Sequence, residues 1–487
     1  MTSVLAHRFP VAEIESLEIG AWRSALVRRA RDGLRPLTMY GRRDGGRVLI
    51  TVVHQDGAHA IVSRTSVDPA HGYHELTSDL PALHCFEREL HEQLDVRITG
   101  HPWLKPVRFE GKDQAAMSSY PFYRVDGKEV HEVAVGPIHA GVIEPGSFRF
   151  MCFGEHVLHL EIHLGYQHRG VEARLLERDA RSLAPWVETI AGDTSIAHAW
   201  AYAAAIEQLA GHDAIPEHEL ARAVMLELER VAMHLGGLAG IAADVGFLPG
   251  ASTYGRLRTT AINTSMRLCG SRFGRGAIRP GGTGVTIDDE RRELLRANAQ
   301  LMRDDGAIID DAFQSARSVQ HRLVGVGAVS NETAIKLGLV GMAARSAGSA
   351  IDARLPARGI YERHPMTSCT EPSGDCWARA RLRIEEITAS LDWIERVTSE
   401  RPTCTPARSP LPSLAPSQLA IAVIEGWRGE VVHCLETGED GALLHYKVQD
   451  PSLRNWMGLA IAVRGNDISD FPICNKSFDL SYCGNDL

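Results

Sequence analysis

Long apolar runs are what this chain most conspicuously lacks. No stretch of about eighteen uncharged apolar residues occurs, and the nearest candidate, Leu323 to Ala350, is broken by Glu332, Lys336 and Arg345. No direct membrane span is expected, so any membrane contact runs through partners. Clustered cysteines are missing as well. The nine present are Cys85, Cys152, Cys269, Cys369, Cys376, Cys404, Cys434, Cys474 and Cys483, and the closest two are seven positions apart. Such dispersal excludes metal-ligand spacing and fits a reducing cytoplasm better than a disulfide framework. Excess positive charge is also absent. With 52 basic residues against 61 acidic ones and a net charge of −9, a broad grip on nucleic acid or anionic lipid is not expected. Glu13, Glu15, Glu18, Arg23 and Arg28 interrupt the first 34 residues, so no signal-peptide core is read there and a chain that is not exported is expected.

What is present is a globular composition, 44% apolar over 487 residues, long enough for about three domains on the usual prior. Val48 to Val53 and Ala60 to Ser63 flank Asp56-Gly57, the signature of a hairpin. Leu83 to Leu104 starts helical and ends extended at His101-Pro102, after a Cys85-Phe86-Glu-Arg-Glu89 stretch. A polar connection follows from Gly111 to Glu132, and the Gly- and Pro-dense Gly136 to Phe150 reads as a folded loop. Leu158, Leu160, Ile162 and Leu164 alternate with His159, Glu161 and His163, the period of a strand with one buried face. The polar triplet could in principle hold a metal, but no fourth ligand is indicated and an exposed or interface-facing strand surface is expected.

The middle of the chain is helical. Leu220, Val224, Leu228, Val231, Leu235 and Leu238 form one stripe behind Pro216. Ile196, Trp200, Ala203 and Ile206 form another, Ile384, Ile387, Leu391 and Ile394 a third, and Leu294 to Met302 adds a further helix. Helices with such stripes must bury them against one another, which predicts a bundle. The Pro-rich stretch Arg401 to Pro416 predicts an ordered crossing loop before a final extended region.

Two segments carry a sharper signal. Glu188-Thr-Ile-Ala-Gly-Asp-Thr-Ser-Ile-Ala-His198 and Asp450-Pro-Ser-Leu-Arg-Asn-Trp456 resemble the metal-binding segments of the large subunit of [NiFe] hydrogenases, each of which carries Cys-x-x-Cys in that family. Here the matching positions are Ala191 and Thr194, and Ser452 and Asn455. Gly136-Pro-x-His139, Gly165 to Glu172, Glu227-Leu-Glu-Arg230 with His234, Asp244-Val-Gly246 and Arg279-Pro-Gly-Gly282 resemble, in the family's order, the 49-kDa-type subunit of complex I and its relative in group 4 hydrogenases. The Glu-Arg-Glu helix with Gly100-His101-Pro102 resembles the 30-kDa-type subunit. A 30-kDa-like unit ahead of a 49-kDa-like unit is similar to the formate hydrogenlyase and hydrogenase-4 large subunit.

The resemblance implies an α+β chain: a small N-terminal α/β domain, residues 1–125, followed by a large, mainly helical-bundle domain, residues 126–487. It also implies a subunit of a membrane-associated, complex-I-like or formate-hydrogenlyase-like oxidoreductase. Its partners would be an Fe–S small subunit that holds the cluster and antiporter-like membrane subunits. Its place would be cytoplasmic, at the inner face of the membrane. Quinone binding and NAD binding go with that family. Nickel and iron at this site need soft thiolates, which a methyl, two hydroxyls and an amide cannot replace; no cofactor is therefore expected on this chain itself. In quinone-reducing relatives a tyrosine and an aspartate-paired histidine hold the head group. Gly192 falls at the tyrosine's place, Glu144-Pro145 in the histidine's region, and only Asp244 matches the aspartate.

What the resemblance leaves in the cavity is polar: Glu144, Arg149, His168, Arg169, Glu172, Asp193, Thr194, Glu227, Arg230, His234, Asp244, Asp450 and Ser452. Gly192 lines it with them. Burying so many ionisable groups requires pairing, so Glu227 or Glu229 with Arg230, and His234 with Asp244, are the expected pairs. Glu172 matches the hydrogenase glutamate that relays protons beside the metal. Glu227, Arg230 and His234 stand three and four residues apart, and can equally be plain intrahelical partners.

Overall fold

The computed structural model describes residues 4–110, 120–139, 143–355 and 357–487. Parts of the polar connection and of the Gly- and Pro-dense loop, residues 111–119 and 140–142, lie outside the described residues. The first elements in chain order are β1 (Leu5–Pro10), β2 (Glu15–Ser16), α1 (Ile19–Arg31), β3 (Arg35–Asp44), β4 (Arg47–Asp56), β5 (His59–Val67) and α2 (His84–Leu94). Strands β2 to β5 form one sheet in the order β2-β5-β4-β3, and the β4–β5 hairpin turns at Asp56 and Gly57 as the sequence predicts. Trp22 and Leu26 of α1 and Phe86 and Leu90 of α2 bury one face of that sheet against Val48, Ile50 and Val52.

Next come β6 (Val130–Val135), β7 (Ser147–Phe153) and β8 (His156–His163), an antiparallel sheet in the order β8-β7-β6. The long helices follow: α3 (Ser195–Ala210), α4 (Pro216–Asp244), α5 (Leu248–Cys269), α6 (Asp289–Ser315) and α7 (Cys376–Ser399). Strands β9 (Gln418–Glu425), β10 (Glu430–Thr437) and β11 (Leu443–Gln449) then lead into α8 (Pro451–Ala462) and α9 (Phe471–Phe478). β1 pairs with β9, so the first strand belongs to the sheet β1-β9-β10-β11 and not to its sequence neighbours. Leu37, Tyr40 and Val53 of one four-stranded sheet meet Leu419, Ile421 and Val432 of the other in a shared core, which ties the N-terminal elements to the bundle.

The local chemistry accounts for these elements. Pro216 stands at the start of α4 with Glu217 and Glu219 in its first turn, where the missing N–H costs nothing and the carboxylates suit the dipole. Asp288, Asp375 and Asp450 cap α6, α7 and α8, each accepting a backbone N–H. The alanines of α3 and its Ile196, Trp200 and Ile206 are buried, and a helix apolar all round belongs in a core; it lies on β9 and β10. The bundle expected from the stripes is present, with α4 packed on α5 and α7. The Pro-rich stretch is ordered: Ala407–Arg408 pairs with Gly282–Thr283.

One expectation is corrected here. His159, Glu161 and His163 are buried, not exposed. The segment that follows α2 crosses them, placing Trp103, Tyr120 and Tyr123 on the imidazoles, while Lys105 Nζ lies 2.5 Å from Glu161 Oε1. The alternation correctly marks a strand, but a covering segment of the same chain takes the place that solvent or a partner would have. Among the described residues no helix is long and apolar enough to cross a membrane.

Candidate functional site

The two motif segments meet at the turn between β9 and β10. That turn, Gly426-Trp427-Arg428-Gly429, projects from two buried strands, and Arg428 forms a two-pronged ion pair with Asp193, 2.7 Å to each carboxylate oxygen. The same guanidinium reaches Thr194 Oγ1 at 3.2 Å and donates to the Asp479 carbonyl, while Trp427 Nε1 donates to the Asp193 carbonyl at 3.0 Å. Burial raises the carboxyl of Asp193, but Arg428 outweighs it and holds the group below its usual range. Asp450, the cap of α8, accepts from Ser452 N at 2.8 Å and faces His198 Nε2 of α3 at 3.2 Å. His198 Nδ1 lies 3.0 Å from His433 Nε2, and His433 Nδ1 lies 2.8 Å from the Tyr446 hydroxyl. Asp450, His198, His433 and Tyr446 thus form one unbroken buried file. Gly484 lies against it so closely that a Cβ there would come 2.6 Å from the Asp450 carboxylate.

Behind the turn lies a second buried network. Arg230 donates to the carbonyls of Glu425 (2.7 Å) and Gly426 (3.1 Å), and its Nε meets Glu227 at 3.1 Å. Glu227 also accepts from Arg354, Ser390 and Tyr361. The intrahelical pair and the wider network are therefore both real. His234 pairs with Glu386 at 2.8 Å and not with Asp244, which pairs with Lys476. Ten residues along one helix separate His234 from Asp244 by about 15 Å, beyond any side chain's reach. Burial lowers His234 to about 4, leaving a neutral imidazole against a carboxylate that Arg345 keeps ionised despite burial.

The other sequence candidates divide. Glu144 accepts from Tyr482 N at 3.2 Å, His168 Nδ1 lies 2.8 Å from the Asp486 carbonyl, and Arg169 donates to the carbonyls of Thr189, Ile190 and Cys483. These three hold residues 482–487 beside the first motif segment. Glu172 is elsewhere: it accepts from Val448 N at 2.9 Å and lies 3.1 Å from Lys447 Nζ, which also meets Glu89 of α2 at 2.7 Å. Arg149 pairs with Glu132 and stacks on Phe122, away from Asp193. Around Gly192 the nearest group a Cβ would meet is Arg275, at 3.9 Å. Sequence reasoning missed Arg428, His433, Tyr446 and Glu386. Only the first had a readable signal, the Gly-x-x-Gly turn between two β-branched runs.

Comparison with known proteins gives this geometry its context. The family model for the respiratory-chain NADH dehydrogenase 49 kDa subunit matches residues 244–415. Formate hydrogenlyase subunit 5 of Escherichia coli is 28% identical over 433 residues, 84% of this chain and 76% of that protein. NADH-quinone oxidoreductase subunit 4 of Thermus thermophilus is 30% identical over 382 residues, 72% of this chain and 92% of that protein. The chain belongs to the 49 kDa subunit family of respiratory-chain NADH dehydrogenase. Its fold is also that of a chain in the membrane-bound sulfane sulfur reductase, an archaeal respiratory membrane complex, with a TM-score of 0.69 at 21% identity, covering 75% of this chain and all of that one.

For a member of the 49 kDa family with hydrogenase relatives, a nickel–iron centre is the group to test. Ala191 offers a methyl. Thr194 Oγ1 is 3.2 Å from Arg428, Ser452 Oγ accepts from Ser481 N at 2.9 Å, and the Asn455 amide is spent on both backbone groups of Val340. These donors do not fit a soft-metal centre, which takes thiolates.

One acid beside the site stands out in this 49 kDa-type chain. Glu229 accepts from Ile196 N at 2.8 Å and Ala197 N at 3.4 Å, at the start of α3. Burial outweighs those bonds and pushes its carboxyl up to about 8. The folded chain therefore keeps a proton that the unfolded chain releases once the pH passes about 4.3. Stability conferred by the neutral form is full below that value and falls as pH rises toward about 8. Glu229→Gln should abolish this slope, so that its stability relative to wild type rises between pH 5 and 8 by on the order of a few kcal/mol. Urea titrations at the two pH values test it; parallel curves for both proteins would refute the assignment.

Proposed function

We propose that this chain is the 49-kDa-type subunit of a membrane-associated oxidoreductase of complex-I or hydrogenase-4 type, and that it holds no nickel–iron centre. The observation that carries the reading is the donor set at the four motif positions, where hydrogen bonds to Arg428, Ser481 and Val340 occupy the polar groups. Electrons arrive from the cluster of an Fe–S small subunit docked on this chain, since among the described residues no His, Cys, Asp and Glu cluster that could hold a metal is formed. Antiporter-like membrane subunits complete the assembly at the cytoplasmic face of the membrane. The chain's own contribution is proton movement. With each ring donating through Nε2, the Tyr446 hydroxyl donates to His433, His433 to His198 and His198 to Asp450, so each bond points the same way. A proton taken up at one end can be handed on at the other.

In membrane vesicles containing the assembled complex, Asp450→Asn should leave assembly intact and reduce electron-transfer-driven proton movement at least about 100-fold, the lower end of the usual scale for a lost acid–base group. Metal analysis of the same preparation should find no stoichiometric nickel. Stoichiometric nickel overturns the metal-free reading, and unchanged proton movement overturns the proton reading. A scaffold role is the second reading, and one observation favours it: the space beside Asp193, bounded by Met225, Ser265 and Arg272, is only about 10 Å³. Quinone reduction would therefore need a partner subunit to supply the other wall.

A further inference from the structure

Against one stripe of α8 lies a cavity of about 260 Å³. At ~30 Å³ per water it has room for roughly nine waters or one small organic molecule. Three parts of the fold build it: the first turn of α2 with the segment that follows it, residues 159–162 of β8, and one stripe of α8 that includes Leu453, Trp456, Met457 and Ala460. Much of this wall is apolar. Its polar atoms are unusual in a shared way. His84 Nδ1 and Nε2, His159 Nε2 and Trp456 Nε1 are all buried and have no hydrogen-bond partner, and all three residues line this one space. Buried polar groups are normally satisfied, so several orphans on residues that line one cavity call for a partner.

The charges select what that is. Arg88 lines the cavity, its guanidinium steadied by the carbonyls of Lys105 (2.7 Å) and Pro106 (2.9 Å), and Arg464 stands at the rim. The one acid in the wall, Glu161, is already neutralised by Lys105 at 2.5 Å. Burial, with Arg88 nearby, lowers His84 to about 3, and burial lowers His159 to about 4, so both rings stay neutral and each can offer an N–H. Trp456 can only donate. Donors and positive charge favour an anion. The apolar remainder of the wall disfavours a multiply charged one, which would lose too much hydration. A cation is disfavoured by both arginines.

We propose that this cavity binds a small organic carboxylate, whose anionic end takes the unpartnered N–H groups of Trp456, His84 and His159 and whose apolar body lies against Leu160, Leu453 and Met457. The site is independent of the redox reading above and stands or falls separately. Isothermal titration of the full-length chain with benzoate, and with the neutral isostere benzamide, tests it. Benzoate should bind one per chain, and benzamide at least about tenfold more weakly, as the loss of a charge-assisted contact implies. Trp456→Phe should weaken benzoate about tenfold, and Ala460→Leu, which fills the space, should abolish binding while far-UV circular dichroism stays unchanged. Crystals soaked with 4-bromobenzoate should show the bromine anomalous peak inside this cavity, which keeps the test open if Ala460→Leu does not fold. Absence of binding by the folded wild type, equal affinity for benzamide, indifference to Trp456→Phe, or a bromine peak elsewhere with only water in the cavity would each overturn the proposal.

Discussion

Arg345→Met is expected to cost about 3–5 kcal/mol of stability, the range for removing one partner of a buried ion pair. The arginine has no exposure at all and serves three acids: its Nε donates to Glu386 at 2.9 Å, its Nη1 meets Glu425 at 2.6 Å, and Asp352 lies 3.9 Å away. Methionine is of similar length but carries no charge. Glu386 would keep His234 and Arg230, and Asp352 would keep Arg354, but among the described residues Glu425 would keep the Ala353 N–H at 2.9 Å and no ion pair. Its carboxyl, already raised by burial, would rise further without the Arg345 charge. An acid whose folded pKa exceeds its unfolded value costs most at high pH, so the deficit of Arg345→Met should be larger at pH 8 than at pH 5. Arg345→Lys, which keeps the charge without the planar fork, should fall between the two. Urea denaturation followed by circular dichroism reads all three proteins. A deficit below about 1 kcal/mol, the range of exposed pairs, would mean that the network is not held as drawn.

That network also shows what one sequence can and cannot disclose. The stripe from Leu220 to Leu238 was readable because a helix turns every 3.6 residues and six large apolar side chains kept that period. Helix α5 was not: its buried face is Tyr254, Leu257, Ala261, Ile262 and Leu268, diluted by arginines and small hydroxyl residues that hide the period. β3 escaped notice because Pro36, Gly41 and a run of arginines interrupt it, although its middle residues are buried on both faces. Motif matching found His198 and Asp450 as neighbours of the key positions. Their continuation through His433 and Tyr446 depends on two strands, with His433 235 residues beyond His198, and no local pattern encodes that. His234 shows the same limit. The resemblance places it in the polar cavity, but its partner Glu386 sits on another helix, 152 residues away, where only the packed fold brings them together. The resemblance carried the family and the general position of the site; the pairings within it come from tertiary packing.

Gly341→Ala should bring the second large effect, and it probes the site through the backbone. Gly341 opens the short helix Gly341–Arg345 with φ +59°, and a Cβ there would sit 2.1 Å from both the Arg428 carbonyl oxygen and Gly429 Cα. Those are backbone atoms, so no side chain can rotate away. The left-handed backbone costs a non-glycine residue about 1–2 kcal/mol. Overpacking against a fixed neighbour adds about 1–3 kcal/mol. Together a loss of about 2–5 kcal/mol is expected. Relief can come only by moving the β9–β10 turn away, and that turn carries Arg428. Its two bonds to Asp193, 2.7 Å each, would lengthen, and the Asp193 carboxyl, which Arg428 now holds low, would rise. The two effects are coupled, so Asp193→Asn should destabilise the Gly341→Ala background less than it destabilises wild type, and a double-mutant cycle measures the difference. If the cycle closes to zero while Gly341→Ala alone costs the expected amount, the glycine matters for the helix start only and does not position Arg428. If Gly341→Ala matches wild type, the close approach of the two backbones is itself wrong.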